Sequence, residues 1–479
     1  MQITMEDHIA VVGAGAMGRG IAQVAACAGH PVTVIDLEPA ALARAQAALD
    51  AALADLTQKG RIAEAEARAI SGRIRWSDSL SAAAGSALVI EAIVERLEVK
   101  RAVFAELGAH VGRETVLASN TSSLSISQLA AAVPAPERFL GLHFFNPAPA
   151  MKLVEVIAGE ATSPAVATAA STLMRAWGKH PVAVADVPGF IVNRVARPFY
   201  AEAFVALEEG LAPALIDAAL KSAGGFRMGP LTLADFIGHD VNYAAASTVF
   251  EGLQPNVRFR PQPFQARLVE QGLLGRKTGA GVYDSRVEQA PAAVIEGLAG
   301  ADIRLPEDLS DLGVLAEAPG RREPALPAGV IAVDGVLAAV GDGRPLSQRP
   351  GVDILIDHVR SLAAAPILVM TVRQPSDEPA AARLAGALGK QLLLVPDRPG
   401  QIVLRTLAQI ANGAVDALRD GVADAAGIDE AMLFGANYPE GPLAWARRIG
   451  PRFLEQTLAN IAEATGDALY APSAGWASL

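Results

Sequence analysis

Cysteine is nearly absent: the 479-residue chain has one, Cys27, so no intrachain disulfide can form and a disulfide-built fold is excluded. Aromatic residues are 5% and charged residues 19%, so the core must rest on aliphatic side chains. There is no basic excess. Lys plus Arg is 40 against 51 Asp plus Glu, a net charge of −11, which disfavours a phosphate backbone, and no nucleic-acid partner is expected. No run approaches roughly 20 apolar residues without a charge or several glycines, so no membrane partner is expected either. The first eight residues have neither the basic nor the apolar region of a secretory signal, so the expected compartment is cytoplasmic. No metal is expected. What the chain has in quantity is hydrophobic residues, 51%, and 44 glycines, enough for about three domains with close helix-to-strand packing.

Ile9-Ala10-Val11-Val12 is a short apolar run ending in Gly13-Ala14-Gly15-Ala16-Met17-Gly18, after which the apolar residues of 20–27 recur at helical spacing. Strand, tight turn and helix follow from that order. Residues 32–35, 88–92 and 116–119 repeat the buried-strand pattern between helix-like segments, which predicts a parallel, doubly wound sheet. Residues 42–74, rich in Ala, Arg, Lys and Glu, read as a helical excursion between the second and third strands.

The glycine turn carries chemistry. Gly13 allows the turn, Gly15 lets the backbone approach a pyrophosphate, Gly18 packs helix on strand, and the helix N-terminus favours an anion. Asp36 lies 23 positions after Gly13, at the end of the next strand, where a carboxylate bonds a ribose and repels a 2′-phosphate. The expected cofactor is therefore NAD, held by Gly13, Ala14, Gly15, Ala16, Met17, Gly18 and Asp36. A second constellation comprises 119–123, 141–147 and 151–157. If the chain reverses around Pro149, His143 and Glu155 lie six residues either side of the bend and face each other. A carboxylate on one imidazole nitrogen fixes the tautomer and stabilises the cation formed when the other nitrogen takes a proton. On spacing alone, a buried histidine tied to a structural glutamate is the competing reading.

The fold class expected is α/β: a Rossmann-type NAD-binding domain at 1–185, a helical domain at 186–286, a Pro-, Gly- and Ala-rich linker at 287–328, a small α/β unit at 329–396, and a degenerate second helical domain at 397–479. The last assignment rests on an internal repeat. Gly178-Lys179 and Asp186-Val187-Pro188-Gly189 recur as Gly389-Lys390 and Asp397-Arg398-Pro399-Gly400 at an offset of 211, and Gly229-Pro230-Leu231 recurs as Gly441-Pro442-Leu443 at 212. Asn193 has Leu404 as its counterpart, so one copy is expected to work and the other to be structural.

These strings together resemble the 3-hydroxyacyl-CoA dehydrogenase family. The motifs are the glycine turn with Asp36, Glu91 to Glu95 with Lys100, Ser119 to Ser123, Gly141 to Pro147, Met151 to Val156, Asp186 to Arg194 and Gly275 to Tyr283. The resemblance covers about 1–285 and, with the duplicate, is similar to a longer bacterial form associated with phenylacetate breakdown, whose members oxidise 3-hydroxyadipyl-CoA. It implies NAD-dependent oxidation of an (S)-3-hydroxyacyl-CoA thioester, with His143 as base, Glu155 holding it, and Ser122 and Asn193 bonding substrate oxygens. It also implies cofactor contacts from Glu95, Lys100 and Lys277, a substrate contact from Asn146, and a homo-oligomer. Lys59 and Arg61 are positional candidates for the CoA phosphates, and Arg258 and Arg260 for a far carboxylate of the acyl chain. A short-chain 3-hydroxybutyryl-CoA dehydrogenase and a cofactor-binding protein without turnover are the alternatives; the intact His143, Glu155, Asn193 and Ser122 set argues against the second. Cys27 is expected to pack within its helix, and His239 to be a helix-end residue.

Overall fold

The computed structural model describes residues 3–253, 256–284, 286–287 and 290–479. The chain divides into two compact units, Met1–Asn193 with Asp420–Ala436, and Arg194–Arg419 with Asn437–Leu479.

In the first unit β1 (Ile9–Val12), β2 (Val32–Ile35), β3 (Ile74–Ser77), β4 (Leu88–Glu91), β5 (Val116–Ser119), β6 (Phe139–Phe144), β7 (Leu153–Ala158) and β8 (His180–Ala185) form an eight-stranded sheet in the order β3-β2-β1-β4-β5-β6-β7-β8. Pairing is parallel from β3 to β6; β7 then runs antiparallel to β6, and β8 parallel to β7. Every residue of β1, β2, β4 and β5 is buried, as a sheet covered on both faces requires. The expected excursion is two helices, Pro39–Gln58 and Glu64–Gly72. It ends in β3, which its polar residues Arg75 and Ser77 conceal and which lies at the sheet edge. Cys27 differs from expectation: the residue is exposed at the end of its helix, while partial desolvation of the thiol and the Glu66 charge raise its pKa, so it is not activated.

Within the segment 397–479 expected as a second helical domain, the helix Ala425–Gly435 packs with this unit. Ala185 N–H donates to Val422 O at 2.8 Å, the edge strand β8 thereby gaining a partner. His180 Nε2 lies 2.8 Å from Glu430 Oε2, and its ring lies 4.3 Å from that of Phe434.

The second unit begins with the predicted helices, Arg197–Glu208, Pro213–Ser222, Pro230–Ile237, His239–Gly252 and Pro263–Glu270. Its sheet has seven strands, β9 (Ile303–Leu305), β10 (Arg321–Arg322), β11 (Val330–Val333), β12 (Val336–Val340), β13 (Ile354–Ile356), β14 (Ile367–Val372) and β15 (Gln391–Leu394), in the order β10-β9-β11-β12-β13-β14-β15. The expected linker 287–328 is thus corrected. It supplies β9 and β10, and Ile295 exchanges two 2.8 Å backbone hydrogen bonds with Leu392. Strands of three and two residues are too short to register as periodicity; positions 288–289 lie outside the described residues.

Backbone geometry bears out the repeat. Positive φ recurs at Gly189 and Gly400 (76° and 72°), Phe190 and Gln401 (50° and 52°), Gly225 and Asn437 (77° and 53°), and Gly238 and Gly450 (103° and 113°). Three of these eight residues are not glycine, so the conformation is imposed by the surrounding fold. The two leading helices, Arg197–Glu208 and Val403–Arg419, are joined by a buried ion pair: Arg405 Nε donates to Glu202 Oε2 at 2.8 Å, and Tyr470 adds its hydroxyl at 3.2 Å.

Candidate active site

The glycine turn has the open cradle a dinucleotide needs. A Cβ at Gly13, whose φ is 106°, would collide with the Ala92 carbonyl, and one at Gly18 with Gly13 O, while a Cβ at Gly15 would meet nothing within 4 Å. Gly13 and Gly18 are therefore small because protein surrounds them, and Gly15 because something else must approach. The helix begins at Ala16, and its N-cap, Gly15, offers no side-chain cap to the first N–H groups. Asp36 accepts the Ala14 N–H at 2.8 Å and the Glu38 N–H at 3.0 Å, which fixes the acid beside the turn. A cavity of 730 Å³ lies against Gly13 to Met17, Asp36 and Ile93-Val94. These residues fit NAD.

Beneath this cleft is a buried polar network. Lys100 Nζ lies 2.6 Å from Glu91 Oε1 and 3.2 Å from Glu95 Oε2, with Lys100 and Glu91 both inaccessible. Glu91 also accepts from Ser119 Oγ at 2.6 Å and from the Ile93 N–H at 2.7 Å. Glu95 accepts from Thr121 Oγ1 at 2.6 Å and from the Ser122 N–H at 2.8 Å. Burial acts to raise the Glu95 carboxyl, but Lys100 and these hydrogen bonds override it and leave the group below the usual carboxylate range. The arrangement corrects the expectation for Lys100. Its ammonium is spent inside the protein, and it reaches the cleft only by holding Glu95. Glu91 was missed as an individual residue, although an acid closing a buried strand requires a cation nearby.

The bend around Pro149 forms as the spacing predicts. His143 pairs with Glu155 across β6 and β7, and Nδ1–H donates to Glu155 Oε2 at 2.6 Å. The other oxygen of Glu155 accepts the backbone N–H groups of Ile191 and Val192, both at 3.0 Å. One fully buried carboxylate therefore fixes both the imidazole and the start of the following helix. The His143 ring is 6% exposed and packed by Phe145 and Phe190 at centroid distances of 4.4 and 5.8 Å. Its Nε2 has no hydrogen-bond partner among the described residues. Asn193 Nδ2 donates to Ser122 O at 3.4 Å, and Asn120 Oδ1 accepts the Phe144 N–H at 2.8 Å. His143, Glu155, Ser122, Asn193 and Glu95 are thus gathered in one unit. Lys179 secures the bend, donating to Ala148 O and Met151 O at 2.5 and 2.8 Å.

The remaining candidates are placed differently. Asn146 is exposed just beyond β6. Lys59 is exposed and paired with Asp55 at 2.8 Å. Lys277, in the second unit, donates to Asp240 Oδ2 at 2.6 Å. Arg260 is exposed and pairs with Asp467 at 3.1 Å, and Arg258 lies 2.8 Å from the buried Asp416. His239 is wholly buried, 2.6 Å from Asp235.

Residues 8–187 match the NAD-binding domain of 3-hydroxyacyl-CoA dehydrogenase, and 189–285 and 400–479 both match its C-terminal domain. The 3-hydroxyadipyl-CoA dehydrogenase of Escherichia coli is 42% identical over 473 residues, 97% of this chain and 95% of that one. The mitochondrial hydroxyacyl-coenzyme A dehydrogenase of Sus scrofa is 39% identical over 283 residues, 58% of this chain and 90% of its own. A crystal structure of 3-hydroxybutyryl-CoA dehydrogenase from Escherichia coli superimposes with a TM-score of 0.89 at 39% identity, covering 99% of this chain and 98% of that one.

Proposed function

The chain belongs to the 3-hydroxyacyl-CoA dehydrogenase family, and from that premise we propose that it oxidises 3-hydroxyadipyl-CoA to the 3-oxo thioester, with His143 as general base. The family reaction is NAD-dependent oxidation of a 3-hydroxyacyl-CoA. The observation that carries the catalytic assignment is the 2.6 Å bond from His143 Nδ1–H to Glu155, which leaves Nε2 as the acceptor.

When bound, NAD supplies the hydride acceptor; the protein's task is to take the hydroxyl proton and hold the oxygen. His143 Nε2 receives that proton, and Glu155 stabilises the resulting imidazolium across the short bond. Ser122 and Asn193 bond the substrate oxygen as it becomes a carbonyl. The phenylalanines around His143 exclude water, which strengthens both interactions. Glu95, held by Lys100, keeps the loop of Thr121 and Ser122 in place and completes the ribose side of the cofactor cleft.

The adipyl preference is supported by the long relative matching 97% of the chain, where the hydroxyacyl relative of Sus scrofa matches 58%. A second reading, a 3-hydroxybutyryl-CoA preference, is favoured by the full-length structural neighbour, a 3-hydroxybutyryl-CoA dehydrogenase. Specificity constants for the two 3-hydroxyacyl thioesters decide: a higher kcat/KM for the C6 diacid thioester supports the first reading, and a higher value for the butyryl thioester overturns it. Phenylacetate catabolism in the cytoplasm is the setting the adipyl reading implies. No helix among the described residues is long and apolar enough to cross a membrane. A homo-oligomer is proposed from the exposed Phe236, Ile237 and Val241, and a monomeric mass by light scattering would exclude it.

A further inference from the structure

The duplication extends beyond the helices into the sheet. β12 to β15 pair parallel, antiparallel, parallel, as β5 to β8 do. The 211-residue offset carries Val182 onto Leu393; Glu155 pairs with Val182 and Val369 with Leu393, so Val369 stands in the place of Glu155. Asp357 N–H donates to Val369 O at 2.9 Å, so Asp357 stands in the place of His143. The Asp357 carboxylate accepts the N–H groups of Ile402, Val403 and Leu404 at 2.7 to 2.9 Å, the first two of which are the counterparts of those held by Glu155. The duplicate thus keeps the brace between strand and helix and has no base, no orienting acid and, with Leu404 for Asn193, no amide.

The cleft is nevertheless open. A cavity of 820 Å³ is lined by His358, Val359, Arg360, Leu362, Ile449 and Phe453, all within the second unit. Ile449 and Phe453 are the counterparts of Ile237 and Val241 at the 212 offset, and Arg360 follows Asp357 by three residues as Asn146 follows His143. The other arginines of the wall are occupied, Arg349 by Asp342 at 2.9 Å and Arg448 by Glu440 at 2.8 Å. The Arg360 guanidinium Nε and the buried His358 Nε2 have no hydrogen-bond partner among the described residues. Burial, with the Arg448 charge, pushes His358 down to about 4, so its ring is neutral near pH 7. Asp311 and Glu317, the acids of the wall without an ion-pair partner among the described residues, are exposed. An unpaired guanidinium beside apolar walls suits an anion carrying an apolar segment.

We propose that this degenerate cleft is a second, non-catalytic binding site for an acyl-CoA thioester, its anionic part meeting Arg360 and His358 and its acyl part meeting Ile449 and Phe453. The proposal rests on the acyl-CoA chemistry of the family and not on the adipyl preference, so both adipyl-CoA and butyryl-CoA, which lack the reactive 3-hydroxyl, serve as probes. Equilibrium dialysis of the full chain against either is expected to give about two molecules per chain, falling to about one in Arg360→Ala and in Ile449→Trp, with kcat/KM for acetoacetyl-CoA within about twofold of the parent. Two variants are used so that a folding defect in one, read from its circular dichroism, leaves the other to decide. One molecule per chain in the parent, or about two in both variants, would overturn the proposal. Displacement of the second molecule by free adipate at equal concentration would also overturn it, assigning the site to a simple carboxylate.

Discussion

Replacing Glu155 by Gln tests whether His143 works as a base held in one tautomer. Glu155 has two duties on two oxygens: Oε2 takes the His143 Nδ1–H at 2.6 Å, and Oε1 takes two backbone N–H groups at 3.0 Å. A glutamine amide can serve only one of them with its oxygen. Turning its NH2 toward Ile191 and Val192 would set donors against donors in a buried site, costing about 1–3 kcal/mol for each group left unsatisfied. The amide therefore keeps its oxygen on the backbone and points NH2 at His143 Nδ1, which must then be an acceptor. The ring proton moves to Nε2, and the atom that should receive the substrate proton is blocked. The expected loss in kcat is about 10²- to 10⁴-fold, the usual share of general-base catalysis. NADH affinity should change by no more than about twofold, because Glu155 lies outside the residues lining the glycine-turn cavity. The assay is NADH absorbance with acetoacetyl-CoA across pH, alongside NADH fluorescence titration. The pH profile should change shape as well as height, since the carboxylate no longer supports an imidazolium. A variant with kcat within about threefold of the parent and a superimposable profile would refute the tautomer argument.

His143→Gln should lower turnover by about 10²- to 10⁴-fold in the same assay while NADH titrates normally. Asp36→Ala should weaken NAD binding about tenfold and narrow the gap between NAD and NADP, seen in the ratio of their KM values, because the anion that repels a 2′-phosphate is gone. Lys179 carries a pH signature. Burial pushes its amine down to about 8, against an ordinary value near 10.4, so between these values the unfolded chain binds more protons than the folded one and stability rises with pH. Denaturant unfolding from about pH 8 to about pH 10 should show that rise, and Lys179→Met should flatten it. Glu202→Gln should destabilise the second unit by about 1–3 kcal/mol, because it removes the nearer of the two carboxylates facing the buried Arg405 and leaves only Glu209 at 3.3 Å, measured by chemical denaturation, with little change in KM for NAD.

Much of the first unit was legible because its signals are local. The glycine turn, the apolar runs and Asp36 each carry their meaning within a few residues, and the mirror spacing of His143 and Glu155 about Pro149 needed only one assumption about a bend. What escaped depends on contacts that local spacing does not show. Lys100 was expected at the cofactor from the resemblance, and although Glu91 and Glu95 lie close to it in sequence, spacing alone does not show that they enclose its ammonium. Arg260 was a candidate for a substrate carboxylate, and its pairing with Asp467, 207 residues away, could not be read from its own segment. β9 and β10 escaped for a different reason: they are strands only by virtue of the neighbours that accept them.

The two copies put the difference between chemistry and support into one register. In both, a carboxylate must meet the backbone N–H groups at the start of the helix that leaves the last strand, because those donors are buried and would otherwise be unsatisfied. The working copy supplies it from β7, so the facing position on β6 is free to carry an imidazole and the spare carboxylate oxygen is free to orient it. The duplicate supplies it from the residue just past β13, the very position where the imidazole would stand, and Val369 replaces the acid opposite. Satisfying the brace from the wrong strand removes the base and its orienter together. Restoring histidine at 357 alone would leave the helix start without its acceptor, so activity at the second cleft requires at least the paired change Asp357→His with Val369→Glu. Asp357→His alone should destabilise the second unit, and unchanged stability of that single variant would refute the brace.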